Sequence, residues 1–551
     1  MQTDGATKIS KHFVFLLIIG LAANATGLFN DILDQDSALY ASIAKNIAVK
    51  NDWINLYGFG EDWLDKPHLP FWLSALSFKL FGIHPFAYKL PSSLCFLVGV
   101  FYTYKLAAKI YSTQVAQIAT LLYLASLHVI LSNFDVRAEG YLTTFIVAAI
   151  YHFYGAMQSP WLKNLVLAAF YTALAMMTKG IFVLITIASG FVVYWIATKQ
   201  WKEFINPKWY LFLVLSFVFI APELYSLYQQ FDIHPEKLVF EKHHVSGLKF
   251  FFWDSQFGRF FNTGPIKGSG DLSFFFHTTL WAFLPWAVYL FIAVYQKLKH
   301  LKNTKISTTI IIHSSALISF FIFSVSKFQL PHYIVILFPM FAMIVADYLV
   351  NIKKEKSIRQ LFNVQYFIFF VLIALIGTLA VFFKLNYTFF TLTLAIAASQ
   401  IFLFVVKEQS IYGIVTKGLC FSLLLAVFLN IIFYPQLMEY QAGMMAGKWQ
   451  QKNMPNKQIQ LYRNNDFSFE FYGNVSMKRH KEIAELFTND SHPVLYTSKN
   501  EYKKINRDSF NVKLLKEVSY FHITQLKPQF INYKTRPQTL DTFVIADVSR
   551  K

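Results

Sequence analysis

The chain has 551 residues, of which 55% are hydrophobic, 18% aromatic and only 15% charged, and its mean hydropathy is +0.40. A soluble protein carries about 25% charged residues, so the composition excludes an ordinary soluble globular protein and indicates a multi-spanning membrane protein. The net charge of +19 reads as the Lys and Arg excess of cytoplasmic loops rather than as a nucleic-acid surface, and no nucleic-acid partner is expected.

Lys8 and Lys11 precede an apolar run from His12 to Phe29. That run is too long for a signal-peptide core and reads as a retained first span. Apolar stretches of about 17 to 25 residues can cross a bilayer, and about thirteen occur. They lie near 12–30, 84–104, 113–131, 138–157, 162–177, 180–198, 209–227, 277–296, 307–326, 330–350, 362–383, 387–406 and 416–434. Cys95 and Cys420 sit inside apolar stretches and read as core filler, not as a disulfide or metal ligands. With the N-terminus in the cytoplasm, alternation puts Lys105, Lys109, Lys199, Lys202, Lys297, Lys299, Lys353 and Lys354 inside, as the charge rule requires. An odd count puts the C-terminus outside.

This orientation gathers the unusual polar loops on the outer face: 31–83, Asn133–Glu139, Thr178–Gly180, 228–276 and Ser326–His332. The short ones carry ionisable residues at span ends, which is costly unless they face a cavity or a partner. In 228–276, the run Phe250-Phe251-Phe252-Trp253 suggests a helix lying in the interface. Arg259 is a candidate phosphate clamp or a headgroup contact. The Gly-rich stretch Asn262–Asp271 is expected to be flexible and close to substrate. His243-His244 lacks metal-ligand spacing. From about Gln436 short β-rich runs replace the apolar ones, including Ile459–Tyr462, Val494–Thr497 and Thr542–Val548. The expected division is a transmembrane domain, 1–435, and a small extracytoplasmic α/β domain, 436–551.

The loop 31–83 carries the chemistry. After Asp36, apolar Leu39, Ile43 and Ile47 recur at helical spacing, which puts Asp36 at or near an N-cap. A carboxylate there, facing a low-dielectric cavity, can also take a proton from a hydroxyl. Asp65-Lys66-Pro67 precedes His68-Leu69-Pro70, and the prolines fix a rigid turn. An Asp and a Lys held side by side suit a phosphate, the Asp holding a metal or orienting its neighbour; a surface salt bridge is the plainer alternative.

Together these features resemble the GT-C membrane glycosyltransferases, nearest to the aminoarabinose transferase of lipid A and the dolichyl-phosphate-mannose–protein mannosyltransferases. The resemblance rests on Asp36-x-x-x-Tyr40-Ala41-x-Ile43-Ala44, Asp65-Lys66-Pro67, Arg137-x-Glu139, Thr178-Lys179-Gly180, Leu284-Pro285-Trp286 and Lys327-x-x-x-Pro331-x-Tyr333, and extends over most of residues 12–350. It implies a GT-C fold and a sugar donor on a polyprenyl phosphate. The acceptor would be an envelope molecule (lipid A, another glycolipid or glycan, or protein), glycosylated with inversion at the outer face of the bacterial inner membrane by a monomer surrounded by membrane lipids. It implies Asp36 as general base and Glu139 as a second-loop acid. Lys66, Arg137, Lys179, Arg259, Lys327 and Tyr333 would contact phosphate or sugar. Asp65 would help to hold a divalent metal. Two departures bear on that metal: His68 replaces the second proline of the family's usual turn, and the family's metal-binding His has no counterpart in Asn262–Asp271, leaving His68, His244 and Asp271 as substitutes. The rival reading is a transporter or flippase of a lipid-linked substrate, but transporters concentrate polar groups at the midplane of repeated halves; here they gather at one face and no repeat is visible.

Overall fold

A computed structural model describes residues 10–300, 306–388, 391, 410–488 and 490–551. The chain opens with α1 (Lys11–Ala25), α2 (Gln35–Lys50), the two-residue strands β1 (Tyr57–Gly58) and β2 (Glu61–Asp62), and α3 (Leu69–Phe81). A helical bundle follows: α4 (Pro85–Ile110), α5 (Thr113–Leu124), α6 (Leu127–Phe134), α7 (Ala138–Ala156), α8 (Leu162–Lys179), α9 (Val183–Ala197), α10 (Pro207–Phe219) and α11 (Ala221–Leu227), which runs on as a helix to Asp232. A helical segment covers 247–261, and the bundle continues through Phe274–Ala282, Ala287–Lys299, Thr309–Val325, Pro331–Val350, Glu355–Phe383 and Ile411–Tyr440.

Every expected apolar stretch coincides with one of these helices except that near 387–406, which lies almost wholly outside the described residues. By length and composition alone, four described helices are long and apolar enough to cross a membrane. Two bent pairs, α5 with α6 at 55° and α10 with α11 at 45°, would bring the number to six. α7 shows why composition undercounts. Nearly all of it is buried, including Glu139, Thr143, Thr144 and His152, so its polar residues meet protein rather than lipid. Small residues let its neighbours close on it: Gly140 lies against Ser92 and Thr144 against Gly99, both on α4. These neighbours hold α7 firmly, with its N-terminal turn at the end of the bundle beside the start of α2. Glu355–Phe383 is the opposite case, a mostly exposed apolar helix on the periphery.

Beyond the helix Ala442–Asn453 comes a five-stranded sheet of β3 (Ile459–Tyr462), β4 (Val475–His480), β5 (Val494–Ser498), β6 (Phe510–Tyr520) and β7 (Asp541–Arg550), in the order β4-β3-β5-β7-β6. β3 pairs in parallel with β4 and β5, and β7 runs antiparallel to β5 and β6. One face buries Ile459, Leu461, Tyr496 and Ile545, the other Tyr462, Leu495, Ala546 and Val548. Coverage of both faces explains why β5 opens with three consecutive apolar residues, Val494-Leu495-Tyr496, all buried.

The sheet is fastened to one end of the helical bundle at two places. At the first, Lys45 of α2 donates to the carbonyls of Glu470, Phe471 and Gly473, each at 2.8 Å, capping the short helix Phe467–Tyr472 with a cation. Gln35 at the start of α2 donates to Asp466 and accepts from Phe467 N–H at the other end of that helix. At the second, Arg536 is buried against the rings of Phe383, Tyr440 and Phe530 and donates to the Phe383 and Phe530 carbonyls.

Candidate active site

Two short turns and two helix ends meet at a cavity of about 130 Å³. Its polar side is formed by Asp65, Lys66, Glu139, Lys179, Arg259 and Tyr333; Phe182, Phe260, Phe275, Phe323 and Phe328 supply an apolar wall. Lys66 Nζ lies 3.2 Å from Asp65 Oδ2, and Arg259 donates to the other Asp65 oxygen. Burial alone would raise the Asp65 carboxyl, yet Lys66 and Arg259 hold it below its ordinary range. Lys179 Nζ sits 2.7 Å from Glu139 Oε1 and 4.1 Å from the centre of the Tyr333 ring. Three cations therefore face two carboxylates, and one donor of the cavity is left over: among the described residues Arg259 Nε, which is buried, has no hydrogen-bond partner. An orphan guanidinium N–H costs free energy unless an acceptor arrives.

Local chemistry explains why these side chains reach the cavity. Lys179 ends α8, where Gly180 takes a positive φ of 98°, and a Cβ there would collide with the Gln256 side-chain amide. That amide donates to the Lys179 carbonyl, so a glycine is needed for the Lys179 turn to seat on the 247–261 helix. Glu139 lies in the first turn of α7, where the N-terminal partial positive charge favours a carboxylate.

A second charged cluster adjoins the cavity. Arg137, the N-cap of α7, donates to Asp34 and to Asp135 (3.0 Å), and lies 3.1 Å from Asp36 Oδ2. Arg137 Nη1 also donates to His332 Nδ1 at 3.1 Å, and His332 Nε2 stands 3.9 Å from Glu139 Oε2. His332 thus links the cluster to the cavity. Asp34 and Asp135 are largely covered, whereas the Asp36 side chain is 58% exposed. Burial and the neighbouring Asp135 push Asp34 up to about 6, against the opposing pull of Arg137. Tyr40, one helical turn after Asp36, is buried and stacks on Phe71 at 5.0 Å. Burial first, then the charges of Glu139, Asp65 and Asp36, keeps its hydroxyl protonated well past its ordinary range.

The cavity brings together Asp65, Lys66, Glu139, Lys179, Arg259 and Tyr333. Asp36 and Arg137 belong to the adjoining cluster, and Lys327 joins neither: its side chain is exposed, while its backbone N–H donates to the Phe260 carbonyl. It follows Ser326 at the end of a helix and is turned away, so the neighbours that line the wall are Ser326 and Phe328. The N-cap of α2 is Asp34, with Asp36 inside the first turn. The Gly-rich stretch is pinned rather than loose: Asn262 and Gly268 exchange two hydrogen bonds, and Gly268 and Gly270 pack on the backbone of Ser326–Phe328. In the sequence Asp135 and His332 read only as ionisable residues at span ends and Asp34 only as one carboxylate of the first loop, none with a role of its own; Glu223 is not singled out at all, its one signal being a single acid at the edge of an apolar run.

The metal expected at Asp65 does not fit the residues present. Among the described residues no three His, Cys, Asp or Glu side chains are placed so that they could hold a metal ion. Both Asp65 oxygens are engaged by cations. His68 is turned to Glu223 and the Ile54 carbonyl, and His244 and Asp271 are exposed, the latter bonded to Ser273. Lys66 and Arg259 already supply the positive charge a metal would bring.

Comparison with known proteins places these observations. Residues 65–225 match the family described as dolichyl-phosphate-mannose-protein mannosyltransferase. The chain is 25% identical over 86% of its length to an uncharacterised protein of Aquifex aeolicus, covering 89% of it. It is also 25% identical, over 63% of its length, to undecaprenyl phosphate-alpha-4-amino-4-deoxy-L-arabinose arabinosyl transferase 1 of Proteus mirabilis, and 24% identical over 65% to transferase 2 of that organism. The chain spans 60% and 61% of the length of those two relatives. Among solved structures, ArnT from Cupriavidus metallidurans bound to undecaprenyl phosphate superposes with a TM-score of 0.74 at 15% identity, covering 97% of both chains.

Proposed function

We propose that this chain, a multi-pass membrane protein with the GT-C fold and similar to the aminoarabinose transferases, is a glycosyltransferase that takes its sugar from a polyprenyl-phosphate donor. The observation that carries the reading is the cavity itself. It pairs an apolar aromatic wall with three converging cations and an unpartnered Arg259 Nε, the complement of a lipid tail that ends in a phosphate. The name of the Proteus mirabilis relatives supports the same donor class. The acceptor is an envelope lipid, and the site opens on the outer face of the inner membrane.

The reaction is direct displacement at the anomeric carbon with inversion. The acceptor hydroxyl oxygen forms the new bond to that carbon as the bond to the phosphate oxygen breaks. The phosphate leaves with its electron pair, and Lys66, Lys179 and Arg259 stabilise the charge it gains. Asp36, the exposed carboxylate of the Arg137 cluster, takes the acceptor proton. Glu139 acts by holding Lys179 in place, and Asp65 does the same for Lys66 and Arg259. Because a phosphate ester is a good leaving group, positioning and charge stabilisation carry most of the barrier. The test is transfer of labelled sugar from a polyprenyl-phosphate donor to envelope lipid extract by the purified, reconstituted protein. Transfer is expected; lipid translocation without transfer would return the reading to a flippase.

A further inference from the structure

Glu223 is a fully buried carboxylate that lines no part of the cavity. It lies at the start of the bent continuation of a membrane helix, where an unpaired charge is costly. Its partners explain it. Glu223 Oε2 accepts from the His68 backbone N–H at 2.9 Å and Oε1 lies 3.0 Å from His68 Nδ1; His68 Nε2 stands 3.0 Å from the Ile54 carbonyl. One side chain therefore grips the residue two positions beyond Lys66, with the fixed φ of Pro67 between them. At the far end of the same helical segment, Asp232 accepts from Gly247 N–H (3.0 Å), Leu248 N–H (3.2 Å) and the Ser246 hydroxyl. Those donors begin the helical run that carries Arg259. Close to Asp232, Gln230 exchanges two 2.9 Å hydrogen bonds with the backbone of Leu56, the residue before β1, on the path to the Lys66 turn.

We propose that the segment Ala221–Asp232 is a strut that sets the distance between Lys66 and Arg259 on the donor phosphate, with Glu223 and His68 as positioning residues that touch no substrate. The inference rests on the assignment of those two cations to the phosphate. A strut acts only through what it holds, so its loss and the loss of Lys66 are not additive.

The experiment measures binding of undecaprenyl phosphate to the purified full chain in nanodiscs, for wild type, K66A, E223A, K66A/E223A and E223Q. K66A and E223A are each expected to bind about tenfold more weakly, and the double variant no more weakly than K66A alone. E223Q is expected within about twofold of wild type, because its amide still accepts from the His68 N–H and can donate to a neutral Nδ1. A purely structural role would lower affinity in the K66A background as much as in wild type and would leave E223Q no better than E223A. If E223A does not fold, H68L/E223L, which removes the buried charge together with its ring partner, is read in its place. Wild-type affinity of E223A or H68L/E223L, or an additive double variant, overturns the strut while leaving the site reading intact. Wild-type affinity of K66A overturns both.

Discussion

The cavity around Lys66, Lys179 and Arg259 sets three cations against two carboxylates, whereas the cluster around Arg137 sets three carboxylates against one cation. The first is walled by phenylalanines and keeps an unpartnered donor; the second leaves Asp36 more than half exposed. Anion binding gains from low dielectric, because desolvated cations pair more strongly with phosphate. Proton acceptance from an incoming hydroxyl gains from access. Placing the two environments side by side, joined through His332, lets each half keep the solvent exposure its task needs. The acid and the cations can therefore be separated experimentally.

The largest effect is expected from D36N. It keeps the shape of the cluster but removes the proposed base, so kcat for transfer should fall by roughly a thousandfold with undecaprenyl-phosphate affinity unchanged; a parallel loss of affinity would merge the two regions into one. R137A comes next. It leaves Asp34 and Asp135 covered and unpaired, and should cost about 3 kcal/mol of stability, visible as a lower thermal midpoint in detergent. R259A acts on the other region. The KM for the donor should rise about tenfold with a smaller change in kcat, because in the proposed reaction Arg259 holds the phosphate in ground state and transition state alike. The smallest effect concerns Asp34. Its folded carboxyl titrates at about 6, above the ordinary 3.8, so the folded protein binds the extra proton first. The contribution to stability is present below pH 3.8 and is lost as pH rises through 6. The melting-point difference between wild type and D34N should accordingly shift in favour of wild type as pH falls from 7 to 4, and a difference that stays flat would remove the assigned titration.

Much of this was legible in the chain. Apolar runs gave the bundle because lipid demands long apolar faces, and the Asp65-Lys66-Pro67 turn announced itself because prolines and paired charges are local signals. The shift to short β-rich runs after Gln436 marked the sheet for the same reason. What stayed hidden depends on tertiary approach. Glu223 reads as one acid after a proline until His68 is seen against it. Lys327 reads like Lys179, a cation at a span end, yet only Lys179 turns inward, and that depends on Gln256, far away in sequence, seating the Gly180 turn. Asp34 and Asp36 are two residues apart; burial by Asp135 and Arg137, from across the bundle, decides which is covered.

The capping of Phe467–Tyr472 by Lys45, with Gln35 gripping its other end, has a consequence for inheritance. The helix bearing Asp36 takes part of its footing from residues more than 400 positions downstream, so the sheet is not a detachable module. A recombinant that borrows its last hundred residues from a distant relative would need a matching α2, and the two segments should be traded as one cassette.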